Sequence, residues 1–226
     1  MEQEAELPAA LAELGLAPAA GAIVLVGGAG GMDLDEVRRV EPLFCDAVVP
    51  VADRVGAVVI DGGTDTGVMR LVGRARAAAG ARFPLLGVVA AALAGAGDGA
   101  NQEEGFARYE PHHTHFLFVP GRMWGDESPW LARVASVLAG EASVTLLVNG
   151  GEIAWLDAAR SVEVGRRVIA VAGSGRTADA LAAAARTEPS DPRARDLIAS
   201  GLVDIVSWDD AYVLKARLTD VLAERV

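Results

Sequence analysis

Four short stretches of this 226-residue chain place glycines where a backbone could approach a ligand closely. They are Gly27-Gly28-Ala29-Gly30-Gly31, Gly62-Gly63-Thr64-Asp65-Thr66-Gly67, Asn149-Gly150-Gly151 and Gly173-Ser174-Gly175-Arg176. Glycine carries no Cβ and tolerates positive φ, so such turns bring N–H groups up to a bound anion, and a following helix adds the positive end of its dipole. The chemistry implied is phosphate binding. Arg176 and Arg70 both fall near the start of a predicted helix, the unfavourable end for a cation by about 0.3–1 kcal/mol, and a bound anion would offset that cost. Arginine also offers a planar fork suited to phosphate. The competing reading pairs Arg176 with Asp179 and Arg70 with Asp65. The ligand reading is preferred for Arg176, the ion pair for Arg70. Thr66 is placed to cap a helix, to donate to a phosphate, or both.

Other chemistries find less support. The three histidines lie together in His112-His113-Thr114-His115, with His113 and His115 expected on one face of a strand. A metal is not expected there, because no carboxylate has a companion spacing; a structural histidine bonded to a backbone carbonyl is the preferred reading. Trp124, Trp130 and Trp155 could stack on a base but are expected to pack in the interior or at an interface. No Gly-x-Ser-x-Gly elbow and no Walker lysine loop occurs, and Lys215 is the sole lysine. The first glycine loop continues Met32-Asp33 where a dinucleotide fingerprint needs its third glycine. Cys45, the single cysteine, excludes an internal disulfide and a thiolate metal cage.

The elements that must position these loops are legible as seven apolar runs: Ala22–Val26, Ala57–Ile60, Phe83–Val89, His115–Val119, Val144–Val148, Val168–Val171 and Leu202–Val206. They are continuous rather than alternating, as strands buried on both faces are. Helical spacing lies between them, for example Val68, Leu71, Val72 and Ala75. The expected fold is α/β, a Rossmann-like doubly wound, mainly parallel sheet of about seven strands with helices on both faces. All four glycine loops would then share the carboxyl edge of the sheet, where such folds bind ligands. One domain is expected over residues 1–226, with 1–20 as a short helical extension ending near Gly15. Residues 91–112 read as a long functional or mobile connection, residues 187–196 as a solvated connector. A closing helix starts at Asp209 or Asp210 and carries Leu214, Leu218 and Leu222 on one face.

Hydrophobic residues make up 52% of the chain, enough for a large core, and 26 glycines against 5% aromatics suit a sheet of small residues under helices. A formal net charge of −11 argues against nucleic-acid binding. Neither a leader peptide nor a membrane span is read, so a cytoplasmic protein is expected.

The motifs together resemble the SLOG domain at the N-terminus of the melastatin-type TRP channels. The resemblance rests on Val24-Leu25-Val26-Gly27-Gly28-Ala29, on Val59 through Gly73, and on His113-Thr114-His115-Phe116. It extends through Leu147-Val148-Asn149-Gly150-Gly151 and Gly173-Ser174-Gly175-Arg176-Thr177-Ala178-Asp179. It implies a nucleotide-derived ligand such as ADP-ribose, without a resident cofactor or metal. The binding residues it implies are Thr66, Gly67 and Arg176, together with Arg133; the glycine loops add Gly27, Gly28, Ala29, Gly62, Gly63, Val68, Gly150, Gly151, Gly173, Ser174 and Gly175 as expected ligand contacts. The segment Gly125–Arg133 is shorter than in the channels. The chain is also distantly similar to the Lonely-guy phosphoribohydrolases, whose Pro-Gly-Gly-x-Gly-Thr-x-x-Glu motif corresponds here to Asn149 through Asp157. That similarity implies the alternative, a nucleotide N-glycosidase with Asp157 or Glu152 as the carboxylate. A homodimer is expected by analogy with the superfamily.

Overall fold

The computed structural model describes residues 3–93, 108–187, 189 and 191–223. All seven apolar runs are strands: β1 Ala22–Gly27, β2 Val58–Asp61, β3 Leu85–Ala90, β4 His115–Val119, β5 Ser143–Val148, β6 Arg167–Ala172 and β7 Val203–Ser207. They form one parallel sheet in the order β4-β3-β2-β1-β5-β6-β7. Winding therefore runs one way from β1 to β4 and the other way from β5 to β7. The reversal falls between β1 and β5, which pair from Ala22↔Ser143 to Gly27↔Val148.

The helices are α1 Leu7–Glu13, α2 Leu34–Leu43, α3 Val49–Val55, α4 Gly67–Ala79, α5 Ser128–Ala139, α6 Glu152–Glu163, α7 Arg176–Ala184, α8 Pro192–Ala199 and α9 Ala211–Ala223. Successive strand residues point to opposite faces, so β1 sends Ala22, Val24 and Val26 into one core and Ile23 and Leu25 into the other. The first core lies under α1, α5, α6, α7 and α8; the second lies under α2, α3, α4 and α9. The Rossmann-like α/β fold is doubly wound, as the pattern of apolar runs predicts. In α9, Leu214, Leu218 and Leu222 are buried as expected, each burial worth roughly 1.5–3 kcal/mol. Asp210 caps that helix, its Oδ1 accepting from Val213 N at 2.9 Å.

Two segments differ from expectation. Residues 187–196 are not wholly a connector: Asp191 caps α8, with Oδ1 accepting from Arg193 N at 2.9 Å, and Pro192 supplies the fixed φ suited to a first helical turn. Between β1 and β2, α2 and α3 are joined by a π-helical stretch, Phe44–Val48, that begins two residues after Pro42. The connection expected over 91–112 lies mostly outside the described residues. Its returning end, Arg108 to Glu110, runs along the second glycine loop: Asp65 N donates to Arg108 O at 2.7 Å and Glu110 N to Gly63 O at 3.0 Å. None of the helices among the described residues is long and apolar enough to cross a membrane.

Candidate functional site

Open α/β sheets bind ligands outside the carboxyl ends of the strands that flank the winding reversal. Here that place is a cavity of about 540 Å³ between the ends of β1 and β5. Glycine loops from four strands reach it, and each is held by bonds that its own sequence supplies.

The first two loops touch. Gly67 opens α4 with φ +46°, and a Cβ there would sit 1.8 Å from the carbonyl oxygen of Gly28. Val68 N–H donates to that same oxygen at 3.0 Å. Gly67 and Val68 thus join the loops from behind, while Gly27, Gly28, Ala29, Gly62 and Thr66 line the cavity. Thr66 stands at the N-cap of α4 but makes no side-chain capping bond; its hydroxyl lies 3.1 Å from that of Thr64. Arg70 pairs with Asp65 at 2.7 Å. Gly63 packs against Phe116 and Gly87 rather than the cavity.

A buried cluster supports the second loop. Asp61 Oδ1 accepts from Gly63 N at 2.7 Å and meets His113 Nε2 at 2.8 Å, while His113 Nδ1 meets Glu110 Oε2 at 2.9 Å. Burial lowers the imidazole pKa, but the charge of Asp61 and hydrogen bonds to both carboxylates outweigh it and raise the value to about 9. His113 is therefore an imidazolium at neutral pH. It precedes β4 and bonds two carboxylates, where a backbone carbonyl was expected, and so does not share a strand face with His115. Among the described residues no group of three or more metal-ligating side chains could hold an ion.

The third and fourth loops are stitched together by Asn149, which has φ +61°. Its N–H donates to Ser174 Oγ at 2.7 Å and its Nδ2 to Ser174 O at 2.6 Å; Thr177 Oγ1 donates to Gly151 O at 3.1 Å. Gly150 packs against Ala154 and Thr177, Gly173 against Trp208, and Gly175 between Asn149 and Glu36, so these three and Ser174 shape the site without lining it. Gly151 and Arg176 do line it.

Arg176 is the first residue of α7 and holds φ +47°, a left-handed conformation uncommon for arginine. Its guanidinium lies over Gly31, where an added Cβ would come within 2.4 Å of Nη1. Asp179 does not neutralise it; that carboxylate accepts from Gly173 N. Among the described residues Arg176 has no ion pair or hydrogen-bond partner for its guanidinium, and the N–H groups of Ala29, Gly30 and Gly31 donate to no carbonyl. One end of the cavity thus presents a cation and unused amides.

The other end is apolar and acidic. Val26, Leu131 and Ala154 form its floor, with Trp124 and Ile153 at the rim. Trp130 and Trp155 are interior, as expected, but Trp124 is 43% exposed. Asp157 lines this end at 8% exposure, and its Oδ1 has no hydrogen-bond partner. Burial raises its pKa to about 7, the Ser128 hydroxyl opposing and the negative charge of Glu127 adding to the rise. Glu127 lines the same end; burial lifts its own pKa, although its Oε2 accepts from Gly125 N at 2.9 Å. Sequence reasoning missed Glu127, which no motif marks. Glu152 lies at the rim, its carboxylate turned to Arg193 Nη1 at 2.7 Å. Arg133 does not line the cavity: it pairs with Glu4 at 2.7 Å and lies over the Trp130 ring.

Fold and site together define a Rossmann-like α/β protein with a ligand-sized cavity at its winding reversal. The family described as SLOG in TRPM, prokaryote, matches residues 20–215, and the chain belongs to it. No curated protein matches its sequence. Among solved structures, the molybdenum cofactor carrier protein of Chlamydomonas reinhardtii is similar with a TM-score of 0.59 at 15% identity, over 90% of this chain and 98% of that one. The molybdenum cofactor binding protein of Rippkaea orientalis is similar with a TM-score of 0.54 at 13% identity, over 87% and 95%. At such identities the likeness is one of fold.

Proposed function

We propose that this protein binds a nucleotide-derived ligand of the ADP-ribose kind, its pyrophosphate lying over the Gly27–Gly31 loop and its base toward Trp124 and Asp157. One observation carries the reading: at the winding reversal the unpaired guanidinium of Arg176 lies over Gly31, in a loop where the N–H groups of Ala29, Gly30 and Gly31 donate to no carbonyl. Such an arrangement is complementary to a diphosphate, because the backbone dipoles and the cation act in one direction. The cavity volume suits a ligand of this size. Two proteins of similar fold are described as carrying or binding the molybdenum cofactor, which supports a small-molecule ligand. Calorimetric titration with ADP-ribose, cyclic ADP-ribose and AMP tests the proposal. Saturable heat from at least one is expected, and none at millimolar concentration rejects it.

The pair Glu127 and Asp157 favours a second reading, hydrolysis of the N-glycosidic bond. An acid that titrates near neutrality, as Asp157 does, can protonate a departing base while a neighbouring carboxylate takes a proton from the attacking water. Incubation with AMP and chromatography decides it: release of free adenine that is abolished in Asp157→Asn supports hydrolysis, and intact AMP after long incubation rejects it.

A further inference from the structure

Asp157 is a buried acid that lines a cavity whose opposite end is built for anions, and its covered Oδ1 has no hydrogen-bond partner. It lies on the sixth residue of α6, about 9 Å along the helix from Gly151 and the anion end. That is roughly the separation of diphosphate and base in an adenine nucleotide. Around it are Leu131, Ile153 and Ala154, with the exposed ring of Trp124 offering a stacking platform.

The charged groups on neighbouring elements are few, and most are already committed. Glu152 on the same helix is held by Arg193 of α8, Arg160 by Glu163, and Arg133 of α5 by Glu4. Arg176 of α7 lies over Gly31. Glu127, at the start of α5, is left to face Asp157, and two adjacent carboxylates disfavour full ionisation.

We infer that Asp157 reads the edge of an adenine base as a carboxylic acid, the O–H on its cavity-facing oxygen donating to the ring nitrogen N1. An ionised carboxylate has only lone pairs to offer and would confront the one on N1. A buried carboxyl that titrates near pH 7 holds the donor proton through the acidic half of the physiological range. The inference rests on the proposed nucleotide site and adds the identity of the base and a pH dependence to it.

The test compares ADP-ribose with its inosine counterpart, in which hypoxanthine replaces adenine. Ribose and phosphates are identical, and the pyrophosphate does not titrate over the range used. Hypoxanthine presents N1–H, a donor, which suits an ionised carboxylate. Affinity for ADP-ribose should fall about tenfold between pH 6 and pH 8, as the protonated fraction falls from about nine-tenths to one-tenth. The inosine compound should change much less. Asp157→Asn, whose amide offers a permanent donor and acceptor, should abolish the pH dependence for ADP-ribose. Parallel profiles for the two ligands would mean general repulsion of phosphate and overturn the inference, leaving the nucleotide site standing. A slope that persists in Asp157→Asn would overturn it likewise. Binding of neither ligand at any pH would reject both readings.

Discussion

Arg176 is held in place by what surrounds it rather than by a partner. Its left-handed backbone costs of order 1–3 kcal/mol, and such strain persists only where neighbours fix it. The guanidinium rests on Gly31, a position where even one methyl group would displace it. If the proposed site is right, Arg176→Ala weakens ADP-ribose binding by about 1.5–3 kcal/mol, the range for charge-assisted hydrogen bonds, with little change in melting temperature. Titration calorimetry measures the first and a thermal melt the second; unchanged affinity would assign Arg176 to architecture alone. Gly31→Ala, which pushes the guanidinium aside without removing charge, should weaken binding in the same direction. The sequence marked Arg176 because a cation at a helix start is anomalous. It gave no such signal for Glu127, whose chemistry arises from burial beside Asp157, a tertiary fact that local pattern does not carry. Glu152 and Asp157 were equivalent candidates in the one-dimensional motif. Helix geometry separates them, turning Glu152 outward to Arg193 and Asp157 inward.

At the scale of elements, the inner strands were visible because parallel strands buried on both faces are unbroken apolar runs, from Ile23–Val26 to Ile169–Val171, while the edge strands β4 and β7 are apolar runs only partly buried. The helices between β1 and β2 had no bounds legible in the sequence. Pro42 and Pro50 punctuate them, and a proline inside an apolar period reads as a break. The chain accommodates Pro42 in the last turn of α2 and Pro50 in the first turn of α3, with the π-helical stretch between. Likewise Pro189 and Pro192 disguised the start of α8. Arg133 was expected at the ligand from resemblance alone, and its pairing with Glu4 depends on where α1 lies, which no motif on α5 specifies. The contact between α4 and the first loop belongs to this scale too. Gly67→Ala places a Cβ against the Gly28 carbonyl and forces an alanine to φ +46°, so the two loops must separate. The variant should lose at least about 1–3 kcal/mol of stability in urea denaturation and bind nucleotide more weakly. A variant as stable as the parent would show that the loops do not need this close approach.

At the scale of the whole molecule, two buried groups, Asp157 and His113, have protonation equilibria whose effects on stability have the same sign. Asp157 has its pKa raised to about 7 in the fold, so the native state holds a proton that the unfolded chain releases above the ordinary carboxylate range. Stability from that proton is lost as pH rises toward 7. His113 has its pKa raised to about 9, so its contribution is complete below about pH 6.5 and is lost as pH rises from there through about 9. The two windows adjoin, and the protein should therefore be most stable in mild acid and weaken continuously into the alkaline range. From about pH 6 to pH 9.5 the imidazolium between Asp61 and Glu110 accounts for roughly 3 kcal/mol of the decline. His113→Gln removes the cation and leaves two carboxylates buried together, so it should be less stable than the parent at pH 6. Its unfolding free energy should also lack the decline through about pH 9 that His113 gives the parent. Asp157→Asn should show the converse, declining less than the parent as pH rises toward 7 and running parallel to it above. Because the His113 cluster underlies the second glycine loop through Gly63, alkaline weakening should reach the ligand site before the far edge of the sheet. Hydrogen exchange at pH 9 can locate it: amides of Gly63 and Thr66 should lose protection relative to pH 6 while those of β6 and β7 keep theirs, and uniform loss across the sheet would detach the cluster from the loop.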